Sequence, residues 1–303
     1  MSVVIMSGYS QDPAFTQAYA NPLYLNPAFA GTGTSQRIGL DFRDQWPLLG
    51  LFTTYNVSYD RNVFDSLTGI GVLANQDVVE PTKLITNNVS LIFSRQIHIK
   101  SFTLSAGIQL TYHQKTVYWS NLTFGNFIDP MYGFVYGPSD EWPTRDTIAV
   151  LDFSLGLLGY GENYFVGFSV DHITQPDESF ITGASPLPIK DTFNAGWMIN
   201  TNGVIISPTI LYIKQQDLTS LSLECYATEK YFTEGVGYRW GSALIFTAGF
   251  QNKFFRIGYS YDYIVSALNN NTTGGCHEAS LAVSLPYHLA KLNKQRGINC
   301  PFF

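Results

Sequence analysis

Phe102-Thr103-Leu104-Ser105-Ala106-Gly107-Ile108-Gln109-Leu110-Thr111-Tyr112 changes character at every step. Phe102, Leu104, Ala106, Ile108, Leu110 and Tyr112 stand on one side, and Thr103, Ser105, Gly107, Gln109 and Thr111 on the other. A period of two belongs to a β-strand, whose successive side chains point to opposite faces. The second face decides the environment. It carries no Lys or Glu, which a sheet washed by water displays, but small hydroxyls, glycine and one amide. An apolar face backed by a small polar one is the pattern of a strand crossing a bilayer with its polar side toward an enclosed lumen.

The same alternation recurs on both sides of that stretch. Ile38, Leu40 and Phe42 alternate with Arg37, Gly39, Asp41 and Arg43, and Tyr55, Val57 and Tyr59 with Thr54, Asn56, Ser58 and Asp60. Near the end, Phe255, Ile257, Tyr259, Tyr261 and Tyr263 precede Ala279, Leu281, Val283 and Leu285. The segments predicted are 36–46, 52–60, 68–75, 86–97, 102–112, 148–159, 164–173, 192–199, 204–213, 218–227, 231–240, 243–251, 254–264 and 277–285. Most are long enough for a tilted transmembrane strand. The expectation is an all-β chain, a closed antiparallel transmembrane β-barrel of about 14 strands, the even number such barrels use. Charges on the polar face are few and of both signs: Arg37, Asp41, Arg43, Asp152, Asp171, Glu224, Arg239, Arg256, Asp262 and Glu278. They suit ion pairing across a lumen. Trp46, Tyr112, Trp197, Tyr212 and Trp240 end apolar runs as an interfacial girdle would. Arg95 and Glu234 fall on the apolar face. A strand end with a snorkelling stem accounts for the first, and a register-shifting bulge is the expectation for the second.

Composition agrees. Charged residues are 13% of 303, about half the usual share, and aromatics 15%. A net charge of −6 excludes a nucleic-acid partner, since phosphate binding needs basic surface. No apolar run reaches the roughly 18 residues of a membrane helix. Cys225, Cys276 and Cys300 are scattered, without CxxC spacing, and read as solitary thiols. Residues 1–10 end in Gly8-Tyr9-Ser10 and read as a signal-peptide remnant. Loop lengths alternate. Arg61–Leu67, His98–Ser101, Tyr160–Asn163, Asn200–Gly203, Thr228–Lys230 and Asn252–Lys253 are short, as periplasmic turns are. His113–Thr147, Thr174–Asp191 and Val265–Cys276 are long, as extracellular loops are. Trp119 and Trp142 stand in the longest, which is dense in aromatics and suits an inward plug or a partner surface.

No catalytic constellation emerges. Gly167-Phe168-Ser169-Val170-Asp171 and Gly258-Tyr259-Ser260-Tyr261-Asp262 approach GxSxG but lack its second glycine, and both lie inside strands. The histidines 98, 113, 172, 277 and 288 are never paired at ligand spacing, and HExxH is absent. Gly69-Ile70-Gly71 and Gly235-Val236-Gly237 precede no helix and read as lumen-facing glycines. The expectation is a non-enzyme without cofactor or metal.

Residues 11–31 read QDPAFTQAYANPLYLNPAFAG. Asn21-Pro22 and Asn26-Pro27 start turns, because a residue before proline avoids the helical region. Prolines break the segment too often for a strand, yet Phe15, Tyr19, Leu23, Tyr24, Leu25 and Phe29 make it too apolar to float free. Residues 11–35 are therefore expected to pack at the periplasmic mouth of the barrel, 36–285, with 286–303 as a periplasmic tail. This opening stretch, Cys276-His277-Glu278 before the last apolar alternation, and Arg296-Gly297-Ile298-Asn299-Cys300-Pro301-Phe302 at the end resemble the PorP/SprF family of type IX secretion system membrane proteins from the Bacteroidetes. Cys276 departs from the serine commoner in that motif.

The resemblance implies an outer-membrane accessory barrel of secretion and gliding motility, binding or anchoring a secreted surface protein with a C-terminal sorting domain. It also implies periplasmic peptidoglycan-associated components as partners, beside the membrane lipid. Asp12, Pro13, Asn21, Pro22, Asn26, Pro27, Trp119, Trp142, His277 and Glu278 are the candidate partner-binding or structural-motif residues. Turn formation and lumen hydrogen bonding are the plainer expectation for Asn21, Asn26, His277 and Glu278. A passive porin or hydrophobic-solute channel is the alternative function.

Overall fold

The computed structural model describes residues 12–33, 35–63, 67–80, 83–119, 128–129, 131, 133–134, 145–180 and 183–285. The segments 1–10 and 286–303 and Trp142 lie outside them. Fourteen antiparallel strands close on themselves. In chain order they are β1 (Gln36–Gln45), β2 (Phe52–Val63), β3 (Thr68–Val79), β4 (Leu84–Ile99), β5 (Phe102–Val117), β6 (Thr147–Tyr160) and β7 (Tyr164–Asp171). There follow β8 (Lys190–Trp197), β9 (Val204–Gln215), β10 (Leu218–Glu229), β11 (Phe232–Arg239), β12 (Ala243–Gln251), β13 (Phe255–Ile264) and β14 (Cys276–Leu285). Each pairs with its sequence neighbour, and β1 with β14 makes the closing seam. An additional short strand, Ile199–Thr201, continues β8 along β9 in the same register. The pairing lapses between them beside Pro208, which has no amide hydrogen to donate.

The predicted strands all form, several longer than expected. β3 runs on to Val79 and β5 to Val117. Beyond the bilayer no lipid imposes alternation, so these extensions carry no period-two signature. The short connections include Asn202-Gly203, with φ of 53° and 88°, the positive values that a two-residue hairpin needs to match strand twist. One rim thus carries tight turns, and the other carries the connections 118–146, 172–189 and 265–275.

Burial is inverted relative to a soluble protein. Leu91, Leu151 and Val236 are about 60% exposed, while Asp41, Arg43, Asp152, Glu224, Asp262 and Glu278 are buried in the lumen. Among the described residues no helix is long and apolar enough to cross a membrane; the strands are the spanning elements. Two details correct the expectation. Glu234 faces outward in unbroken register, opposite Ala227 and Ala248, so no bulge turns it inward. It lies close to the turn after β10, where a carboxylate on the outer face costs little. Trp46 follows the end of β1 with φ of 62°, so its ring leaves the outer face and packs edge-on against Phe52. Cys225 is exposed, whereas Cys276 is buried.

Candidate functional site: a plug and its socket

The N-terminal segment reaches the turn-side mouth and also extends up the lumen. Gly31 lies by the turn-side ends of β2 and β4, while Asp12 lies among residues at the loop-side ends of β7, β8 and β9. Its prolines punctuate it. Pro22 occupies the first turn of α1 (Pro22–Leu25), where its missing amide hydrogen costs nothing. Asn26, held extended before Pro27, accepts from the Ala28 amide and caps the 3₁₀ turn Pro27–Phe29. Its Nδ2 donates to the Leu157 and Phe168 carbonyls at 3.0 and 3.1 Å. The wall makes room with glycine: a Cβ on Gly107 would stand 2.4 Å from the Ala28 amide nitrogen, and one on Gly156 2.0 Å from the Asn26 Oδ1.

Serines of the lumen face hold the plug backbone. Ser169 donates to Leu25 O at 2.7 Å, Ser105 to Ala28 O at 2.8 Å and Ser94 to Ala30 O at 2.6 Å. Asp60 accepts from the Gly31 amide and pairs with Arg37, which also donates to Phe29 O. Leu23, Ala28 and Phe29 pack against Leu73, Ile92, Leu158 and Phe165.

Higher in the lumen the contacts become ionic. The Glu278 carboxylate accepts the Thr16 and Gln17 amides, both at 2.7 Å, and receives Arg43 at 2.9 Å. Arg43 and Arg239 also converge on Asp262, at 3.0 and 2.9 Å, with the Thr16 hydroxyl among them. The Gln17 side chain is held by Ser280 and by Ser260. Two guanidinium groups against two carboxylates balance a cluster that would be costly to bury with either member missing. Asp12 ends the series, taking Lys190 at 2.7 Å and His172 at 2.9 Å, with His172 braced by Asp152 on its other nitrogen. Burial opposes the charge on Asp12, but Lys190 and His172 outweigh it and hold the carboxyl well below the usual range. Burial likewise opposes protonation of His172, yet Asp12 and Asp152 lift it to about 10.

Asp12, Pro13, Asn21, Pro22, Asn26, Pro27 and Glu278 all belong to this plug and socket. Pro13 offers its carbonyl to the Tyr24 hydroxyl at 2.6 Å. The Asn21 side chain is buried without a hydrogen-bond partner among the described residues. His277 does not join Glu278. It points to the outer face, 2.7 Å from the Tyr259 hydroxyl and beside the Tyr261 ring, because neighbours in a strand look opposite ways. Trp119 stays in the long loop, bonded to Arg145 O and edge-on to Phe180. Lys190, His172 and the three serines carry plug contacts the sequence reading did not single out; the lumen phase of their strands was the available signal for the serines. Among the described residues no group of three or more His, Cys, Asp or Glu is arranged to hold a metal.

Above Asp12 and Pro13 the lumen opens into a vestibule of about 550 Å³ toward the long loops. Its wall includes Thr54, Asn75, Asp77, Thr86 and Asn88, with Trp46 and Phe52 at one side.

The class is that of an outer-membrane β-barrel whose lumen is occupied by its own N-terminal segment. The chain is similar in fold to the toluene transporter TbuX of Ralstonia pickettii, at 12% identity over 88% of this chain and 93% of that one, TM-score 0.52. It is likewise similar to the deltaS2S3 mutant of the monoaromatic hydrocarbon channel TodX, at 11% identity over 91% of this chain and 95% of that one, TM-score 0.50. No curated protein sequence matches the chain. The family model described as type IX secretion system membrane protein PorP/SprF matches residues 7–283, and the chain belongs to that family. The family and the fold neighbours are secretion and transport components rather than enzymes. Ser169 and Ser260, the near-matches to a nucleophile motif, are both bonded to the plug.

Proposed function

We propose that this chain is a non-enzymatic outer-membrane accessory barrel of the type IX secretion and gliding machinery, binding or anchoring a secreted protein with a C-terminal sorting domain at the cell surface. The long-loop rim faces outward and receives that protein. The tight turns face the periplasm and its peptidoglycan-associated components. The observation that carries the reading is the meeting of the two sequence motifs: the opening segment lies in the lumen and the Glu278 of the last strand holds it there. A lumen filled in this way is poorly suited to passage, which leaves the rims as the working surfaces. Cross-linking on intact secreting cells, followed by purification of the barrel, is expected to recover a large secreted protein. Recovery of the barrel alone would overturn the proposal. The hydrocarbon transporters among the fold neighbours favour a second reading, a solute channel. Ohmic conductance of the purified full chain in planar bilayers would support that alternative, and the plugged barrel is expected to stay closed.

A further inference from the structure

The first half of β6 has a neighbouring strand on one side only. β5 pairs with β6 along its whole length, from Thr147 to Tyr160, but β7 meets only Leu155–Tyr160. The cause is local. His172 and Gln175 take φ of 59° and 44°, left-handed values that turn the chain after β7 away from the wall. Glu178 of that chain is drawn to Lys115 at 2.8 Å. A last contact joins the Ile173 amide to Phe153 O at 3.1 Å, and above it the ladder on that side stops. The phase of the other ladder shows which groups are left. Val117 donates to Asp146 O, so the even-numbered residues of this part of β6 bond toward β5. Thr147, Ala149 and Leu151 aim their N–H and C=O groups at the open side, where they meet no backbone partner among the described residues.

An open edge invites another strand, and proteins usually blunt it with lysine, proline or a bulge. Thr147-Ile148-Ala149-Val150-Leu151 has no charge, no proline and no glycine, and three of the five are β-branched. The edge also stands where a partner can reach it. Past Tyr112 the outward residues of β5 turn from apolar to Gln114 and Thr116, the register partners of Ala149 and Thr147. The strand is there leaving the hydrocarbon, in which a bare edge is not tolerated, and it rises to the long-loop rim. We infer that this edge is a docking strand, to which an extended segment of the exported partner adds at Thr147–Leu151. The inference rests on the proposed anchoring function and names where and by what chemistry it works. Donors and acceptors alternating at strand spacing are matched as a set by another β-strand; a sugar or a lipid headgroup has no such repeat. A second copy of this chain fits poorly. Two barrels upright in one membrane, related by a two-fold along its normal, bring their tilted strands together crossed at about 70–90°, twice the usual tilt, and no ladder forms at that angle.

Ala149→Pro deletes the central free donor and no bond to β5, because Ala149 and Gln114 are a non-hydrogen-bonded pair, and proline is accepted on an edge whose N–H faces away. Ala149→Val keeps the donor. A heat-modifiable electrophoretic shift equal to wild type verifies that each variant folds. The test places a photo-reactive amino acid at Thr147, on the edge, or at Leu48, exposed on another loop of the same rim, in secreting cells. Mass spectrometry then identifies the attached peptide. The expected result is one contiguous segment of an exported protein on Thr147, reduced at least tenfold by Ala149→Pro and retained in Ala149→Val. Attachment at Leu48 alone, an undiminished Thr147 adduct in Ala149→Pro, or equal loss in both variants overturns the docking strand and leaves surface anchoring standing. A second copy of this chain on Thr147 overturns the choice of partner. No exported protein on either position overturns both readings. Hydrogen exchange tests the same edge in the wild-type chain, independently of how the proline variant folds. Exchange over residues 147–151 is expected to slow in the complex with the exported protein relative to the barrel alone, and unchanged exchange overturns the inference.

Discussion

The two halves of the plug are held by different physics. Toward the turns, residues 26–31 lie in a groove cut by glycine and are fixed mostly by neutral bonds from Ser94, Ser105 and Gln96 to carbonyls. Toward the loops, Asp12, Thr16 and Gln17 are fixed by carboxylates, guanidinium groups, an ammonium and an imidazolium. Shape complementarity tolerates changes of pH and salt but not of volume, while an ionic latch tolerates small changes of shape but not loss of a partner. The lower half is therefore a fit and the upper half a lock.

The sharpest way to break that contrast is Glu278→Ala. It strips two plug amides of their acceptor and leaves Asp262 as the one carboxylate paired with Arg43, at a cost of about 3–5 kcal/mol, read from the urea midpoint of the folded barrel. Glu278→Gln should cost less, because one oxygen still accepts. Gly107→Ala tests the fit. Its Cβ meets plug backbone at 2.4 Å, and about 1–3 kcal/mol of overpacking should appear as lower stability, along with conductance from a displaced plug.

The ionic half should respond most to pH. Asp12, held below its ordinary value, contributes stability above its unfolded pKa that is lost as pH falls through the depressed one. His172, lifted to about 10, contributes stability that is complete below its ordinary value of 6.5 and lost as pH rises through about 10. Protease access to the segment around Asp12 should thus increase in strong acid and again near pH 10, and His172→Gln should remove the alkaline rise. Smallest of all, Ser94→Ala should cost about 1 kcal/mol with no pH dependence.

Much of the fold was legible because a bilayer and a confined lumen each write on alternate residues. The strands carried that signature wherever lipid touched them, and the lumen charges Asp41, Arg43, Asp262 and Glu278 were found by phase alone. The signature stops at the bilayer edge. The extension of β3 past Asn75 was not visible, and the vestibule wall with it. Period two also separates His277 from Glu278, though the two stand together in one motif. The plug was legible as a packed segment, but its height in the lumen was not, since that depends on Lys190, His172 and Glu278, far away in sequence. The Trp46 ring escaped because a positive φ just after a strand breaks the phase.

Arg43 and Glu278 are also register partners across the seam where the first strand meets the last. One carboxylate therefore stitches the cylinder shut and grips the segment inside it. The seal of the wall and the seat of the cork share that one side chain, and a force that draws the cork also works on the stitch.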